Sequence, residues 1–258
     1  MPRLFICDID GCLAEPFQPY DLPKWQRLAE HARRAEANPD AGPRISLCSG
    51  RAYAYVEAVT QALGLRTPSL FESGAGAFYC ETAEVLWNPH LTPDVERDLA
   101  SVKTWMFDAL LPASGNVRFD YGKRGQTGVV GLDWTDIEPL VPQVEAYVAA
   151  HFPERFRVFH THVSIDVVPT AITKAAAIRW MAAHEGYALA DIAYIGDTNG
   201  DIEALECVGH AFAPSNATDA VKAVANHVTT ASHIDGVLEA LAYAKAPADH
   251  GRLTTDHR

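Results

Sequence analysis

Apolar and polar positions along this chain follow two rhythms. Residues 4–7, Leu-Phe-Ile-Cys, are an unbroken apolar run of the length of a strand buried on both faces. Residues 22–37 then set Trp25, Leu28, Ala29, Ala32 and Ala35 at helical spacing. A second apolar run, within 43–51, ends in Ser49-Gly50. A second helix over 54–63 is closed by Gly64 at a C-terminal cap position. Residues 68–76 supply a third strand and a turn. Strand and helix in strict alternation predict a parallel sheet with crossover helices.

From about residue 78 the rhythm changes. A helix is predicted over 92–111, then two strands, 116–124 and 127–134, joined through a glycine-containing turn. A helix over 137–152 and a second strand pair, 156–162 and 163–169, repeat the unit. Short turns between consecutive strands make antiparallel pairs. The expected architecture is therefore α/β: a Rossmann-like parallel core from residues 1–78 and 169–246, interrupted at 79–168 by an α+β cap of two helix-strand-strand units. After Pro169 the alternation resumes. A helix follows Thr173, its candidate N-cap, and ends at Gly186; a strand ends in Gly196-Asp197; further helices are predicted over 202–209, 217–227 and 235–244. The tail, 247–258, has no periodicity and is expected to be flexible.

Apolar residues make up 48% of the 258, enough for a substantial core. The net charge of −12 argues against a nucleic-acid or membrane partner, where phosphate neutralisation demands Lys and Arg. It does not exclude a small anionic substrate, because a bound cation reverses the local field. The five cysteines are odd in number and form no CxxC, which fits a reducing compartment rather than a disulfide framework. No signal peptide or membrane span is apparent, so a cytoplasmic protein is expected. Oligomeric state is not legible.

The polar residues that end the strands carry the chemistry. Ligands of parallel α/β sheets sit beyond the carboxyl ends of the strands. There lie Asp8 and Asp10, Ser49 and Gly50, and Asp197 and Asp201, while Lys174 opens the helix after the insertion. Each cluster alone is ordinary: Asp-x-Asp-Gly and Ser-Gly are turn sequences, and aspartates suit helix N-termini. A calcium loop fails by count. Glycine is fourth from Asp8, and from Asp197 the sixth and twelfth positions are Ile202 and Val208. Together, and in this order, the clusters would gather four carboxylates, a lysine and a hydroxyl at one sheet edge. Packed carboxylates repel unless a cation neutralises them, and Mg²⁺, hard and shared with substrate phosphate, suits. One aspartate of the pair can attack phosphorus; the other, two residues on and on the same side of an extended chain, can move the proton.

The set Asp8-Ile-Asp10-Gly-Cys-Leu, Cys48-Ser-Gly-Arg51, Thr173-Lys174 before an alanine-rich helix, and Ile195-Gly-Asp-Thr-Asn-Gly-Asp201 resembles the haloacid dehalogenase-like phosphatases. The doubled insertion resembles their type IIB cap. The stretches 72–79 and 213–228 point to the branch of archaeal-type phosphoglycolate, sucrose-phosphate and Cof-like sugar phosphatases. The resemblance implies a Mg²⁺-dependent phosphatase of a small phosphorylated metabolite, acting through an aspartyl phosphate. It makes Asp8 nucleophile and metal ligand, and Asp10 general acid/base with its carbonyl on the metal. Ser49, Gly50 and Lys174 hold the phosphoryl group, Asp197 and Asp201 the metal, and Asn216 lies near the phosphate. Lys123, Arg124, His160 and His162 are candidate readers of the leaving group. Cys12, Ser73 and Gly200 depart from the family pattern. A phosphohexomutase using the same aspartate site, and a non-catalytic phosphometabolite-binding protein, are the alternatives.

Overall fold

The structure, a computed structural model, describes residues 1–245, so the expected tail lies outside the described residues. The first half of the core comprises β1 (Leu4–Cys7), α1 (Leu22–Ala37), β2 (Arg44–Leu47), α2 (Tyr53–Leu63), β3 (Ser69–Phe71), β4 (Gly76–Tyr79) and β5 (Glu84–Trp87). The inserted layer follows: α3 (Pro93–Trp105), β6 (Arg118–Phe119), β7 (Thr127–Val130), α4 (Trp134–Ile137), α5 (Val141–His151), β8 (Phe156–His160) and β9 (Ser164–Pro169). The chain then returns as α6 (Lys174–Glu185), β10 (Ile192–Ile195), α7 (Ile202–Cys207), β11 (His210–Ala213), α8 (Asp219–Val224), β12 (His227–Val228) and α9 (His233–Lys245).

The main sheet has the order β12-β11-β10-β1-β2, with every pairing parallel. The run at 4–7 is buried on both faces, as its composition requires. Phe5 and Cys7 join a core with α1, α2 and α9, while Leu4 and Ile6 face the opposite core with α6 and α7. Local chemistry sets the helix ends. The Asp21 side chain accepts the Lys24 amide at the start of α1, and Thr173 accepts the Ala176 amide at the start of α6. Gly64 and Gly186, at φ 66° and 72°, close α2 and α6 in the left-handed conformation that glycine adopts freely. β1 pairs with β2 on one side and with β10 on the other, so strand order reverses at β1 and opens a crevice at the carboxyl ends there.

The inserted sheet is antiparallel, in the order β6-β7-β9-β8, and packs α3 and α5 against one face through its own apolar cluster. Two features differ from expectation. β3, β4 and β5 form a small antiparallel sheet joined to the main one through a single parallel bridge, Cys48 to Leu70. Val85 and Trp87 of β5 pack on the main core although they lie within 79–168, because they pair with Phe78 and Gly76 of β4, and Phe78 belongs to that core. The helix expected over 217–227 ends at Val224, and His227–Val228 instead adds an edge strand beside β11.

Candidate active site

Asp8 follows β1 directly, and its amide donates to the Ile195 carbonyl of β10 (3.0 Å). Its carboxylate accepts the Ile9 amide at Oδ1 (2.7 Å) and the Lys174 ammonium at Oδ2 (2.6 Å). The same ammonium donates to Asp201 Oδ1 at 2.6 Å, so one buried lysine bridges two buried aspartates. Burial works against the charge on Lys174, but Asp201 and Asp8 beside it hold its pKa well above the usual value. Burial pushes Asp8 up to about 7 despite the lysine. Burial, then repulsion from Asp201 and Asp8, pushes Asp197 up to about 8.

Carboxylate oxygens of Asp8, Asp197 and Asp201 lie within 4.8 Å of one another. They are not equivalent. Asp201 Oδ1 accepts from Lys174 and from the Tyr194 hydroxyl (2.5 Å), and Oδ2 from the Asp197 amide and from the Thr198 amide and hydroxyl. Those donors outweigh burial and hold Asp201 below the usual carboxylate range. Asp197 has by contrast a single weak donor among the described residues, the Cys12 thiol, with Sγ 3.9 Å from Oδ1. Burial first, and the nearby aspartates next, push the Cys12 thiol well up, which suits it as a protonated donor. One buried and one half-buried carboxylate biased toward neutrality, beside a third already saturated, fit a hard divalent cation. Gly11 closes the loop over this cluster at φ 78°; a Cβ there would stand 1.9 Å from Asp197 Oδ2.

Asp10 lines the same cavity but is turned to Arg51, which donates from its ε and terminal nitrogens to the two carboxylate oxygens, each at 2.6 Å. The guanidinium in turn lies against the rings of Phe17 and Tyr55. Arg51 was not singled out from the sequence; its place beside Ser49-Gly50 was the available signal. Ser49 is buried, and its hydroxyl accepts the Arg51 amide. Asn216 spends its side chain on backbone, donating to the Gly11 carbonyl and accepting the His233 amide, so it ties together two loops that rim the site.

The inserted layer covers these strand ends and encloses a cavity of about 450 Å³. Of the four expected cap readers, Lys123 and His162 line it. Arg124 and His160 do not. Arg124 turns out of the β6–β7 turn to pair with Glu96 and lie over the Trp87 ring. His160, at the end of β8, packs against Trp134. Asp120, Ser164 and Asp166 line the cavity without having been anticipated.

The turn after β3 joins the two layers. Its Glu72 is fully buried, and Glu72 and Ser73 both have left-handed backbone, φ 49° and 56°. The Glu72 carboxylate accepts two amides of the inserted layer, Arg124 (2.9 Å) and Gly125 (2.6 Å). Its own amide donates to the Arg51 carbonyl, and the Ser73 amide to the Ser49 carbonyl. Gln126 completes the contact by donating to the Gly50 carbonyl (2.6 Å). Three consecutive cap residues thus grip the Glu72 turn and the adjoining loop that carries Ser49.

A parallel sheet whose strand ends carry this aspartate-lysine cluster, roofed by an antiparallel layer, defines a class of fold, and comparison with known proteins agrees. Residues 135–241 match the haloacid dehalogenase-like hydrolase family. A phosphoglycolate phosphatase of Natronomonas pharaonis is 28% identical over 92% of this chain and 96% of its own. In fold, the chain is similar to Thermoplasma acidophilum 0175 (TM-score 0.70, 21% identity, 95% of this chain and 99% of that one). It is similar also to the sucrose-phosphatase of Synechocystis solved with sucrose and phosphate (TM-score 0.66, 17% identity, 95% and 98%). The chain thus matches the haloacid dehalogenase-like hydrolases in sequence over residues 135–241, is similar along nearly its whole length to a phosphoglycolate phosphatase, and shares the fold of these solved structures.

Proposed function

We propose that the protein hydrolyses a small phosphomonoester in a Mg²⁺-dependent reaction through an aspartyl phosphate at Asp8. The observation that carries this reading is the bridge from Lys174 to Asp8 and Asp201, beside Ser49 and beneath a cavity lined by both layers. Asp8, Asp197 and the Asp10 carbonyl would hold Mg²⁺, while Asp201, with its oxygens occupied, orients Lys174 and the Asp197 loop. When bound, the ion supplies positive charge that offsets the carboxylates and the phosphoryl oxygens.

The chain's own groups perform the transfer. An Asp8 oxygen attacks phosphorus, the bond from phosphorus to the leaving oxygen breaks, and Asp10 passes a proton to that oxygen. In the second step Asp10 takes a proton from water, whose oxygen attacks phosphorus and releases inorganic phosphate and free Asp8. Lys174 and Ser49 stabilise charge on the transferring oxygens. Arg51 holds Asp10 at the cavity wall, and the cap excludes bulk water. A phosphoglycolate- or sugar-phosphate-like substrate is supported by the activities named for the relatives. The free state of all five cysteines and the absence, among the described residues, of a helix long and apolar enough to cross a membrane are compatible with a cytoplasmic setting. The mutase alternative is not favoured by relatives named as phosphatases.

The test is phosphate release from an aryl phosphate with and without Mg²⁺. Asp8→Asn is expected to abolish the Mg²⁺-dependent rate, and a variant that keeps more than a tenth of it overturns the proposal.

A further inference from the structure

The cap face of the cavity has a charge pattern that the transfer chemistry does not need. β9 alternates: Ile165 and Val167 enter the apolar cluster of the inserted layer, whereas Ser164, Asp166 and Val168 line the cavity. Lys123 reaches the same wall from the β6–β7 turn. Its ammonium lies 2.6 Å from Asp120 Oδ2 and 2.8 Å from Asp166 Oδ1, with its side chain only 4% exposed. The other Asp166 oxygen accepts the Ser164 hydroxyl (3.1 Å), which lies 3.0 Å from the Thr161 hydroxyl. The wall is one connected network of two carboxylates, one ammonium and two hydroxyls.

We propose that this wall selects a phosphomonoester whose leaving group is an uncharged polyhydroxy compound, and turns away one that carries a carboxylate. The inference rests on the phosphatase reading above and deepens it.

Three observations carry it. First, among the described residues Lys123 is the one lysine or arginine that the cap contributes to the cavity lining, and two carboxylates already neutralise it. To receive a substrate carboxylate it would have to abandon a buried ion pair, and the wall would still keep an excess negative charge. The other two such cations of the lining are also engaged, Arg51 with Asp10 and Lys174 with Asp8 and Asp201. Second, the network is rich in acceptor oxygens and hydroxyls, which substrate hydroxyls satisfy, while Val130, Phe159 and Val168 offer apolar surface to a carbon skeleton. Third, a cavity of about 450 Å³ falls within the ~300–1,000 Å³ typical of sites that enclose larger ligands, more room than a two-carbon acid fills.

The experiment compares substrates matched in skeleton and different in charge: glycerol 3-phosphate against 3-phosphoglycerate, and sorbitol 6-phosphate against 6-phosphogluconate. An aryl phosphate reports the chemistry separately. The alcohol of at least one pair is expected to exceed its acid at least tenfold in kcat/KM. Asp166→Asn is expected to shift that ratio at least tenfold toward the acid. Asp120→Asn is expected to shift it the same way, and a thermal melt confirms that each variant is folded. Equal or faster turnover of the acids, refusal of both pairs, or an unmoved ratio in both folded variants overturns the specificity while aryl phosphate hydrolysis keeps the phosphatase reading. Failure to hydrolyse the aryl phosphate overturns the phosphatase reading itself.

Discussion

Glu72 gives a prediction whose size can be worked from its contacts. Replacing it with alanine removes a fully buried carboxylate that accepts the Arg124 and Gly125 amides. Hydrogen bonds to a charged acceptor are worth about 1.5–3 kcal/mol each, and a buried amide left unpaired costs about 1–3 kcal/mol. Arg124 is exposed, so water recovers part of its loss; Gly125 is buried, so its amide is stranded. Burial of the carboxylate works the other way, since it raises the Glu72 pKa against the pull of the two amides. The net expectation for Glu72→Ala is a loss of about 2–4 kcal/mol. Glu72→Gln keeps a carbonyl oxygen for the two amides and should lose less than half as much. Because the folded pKa of Glu72 is raised, its favourable contribution is complete below the ordinary glutamate pKa and is lost as pH rises through the folded value. Glutamine cannot titrate, so it should compare better with wild type at pH 7 than at pH 4. Urea denaturation of the three proteins across that range measures all of this, and hydrogen exchange at Gly125 locates it. A Glu72→Ala protein within 0.5 kcal/mol of wild type, with the Gly125 amide still protected, would refute the reasoning.

Three further predictions concern the site and the core. Lys174→Met leaves Asp8 and Asp201 buried without their shared cation; it should destabilise the fold by about 3–5 kcal/mol in urea titration and abolish turnover. Gly11→Ala places a Cβ against Asp197 Oδ2 at a positive φ, so calorimetric titration should show Mg²⁺ affinity falling at least tenfold while the thermal melt remains cooperative. His31 is buried against the Pro43 carbonyl, and burial lowers its pKa. The unfolded chain then takes up the proton first as pH falls, so stability should drop below about pH 6.5, and His31→Gln should flatten that part of the urea-midpoint profile.

The parallel core was legible because strands buried on both faces read as unbroken apolar runs, and the residues that end those runs are the residues of the site. Lys174 opens a helix rather than ending a strand, and the structure joins it directly to Asp8, 166 residues away. The hairpin of β4 and β5 was not legible, since both strands are short, β5 is half-exposed, and they are linked through a left-handed Ala83 that carries no turn signature. Lys123 and Arg124 show a second limit. Adjacent residues of one turn point opposite ways, and composition does not say which one enters the cavity. Glu72 is the third case. In sequence it opens an unremarkable Glu-Ser-Gly turn, and its meaning arises only when a second layer lies close enough to offer two amides.

The alternation along β9 bears on how such a protein changes over time. Ile165 and Val167 are committed to the packing of the inserted layer, while the positions between them face only the cavity. Substitutions at 164, 166 and 168 therefore spare that apolar cluster, and none of the three lies on the strands that carry Asp8, Ser49 or Asp197. One strand thus offers positions, 164 and 166 coupled to each other by their hydrogen bond, that can change without disturbing that cluster. A lineage can drift through new leaving groups there, one residue at a time, while the aspartate-lysine centre stays fixed.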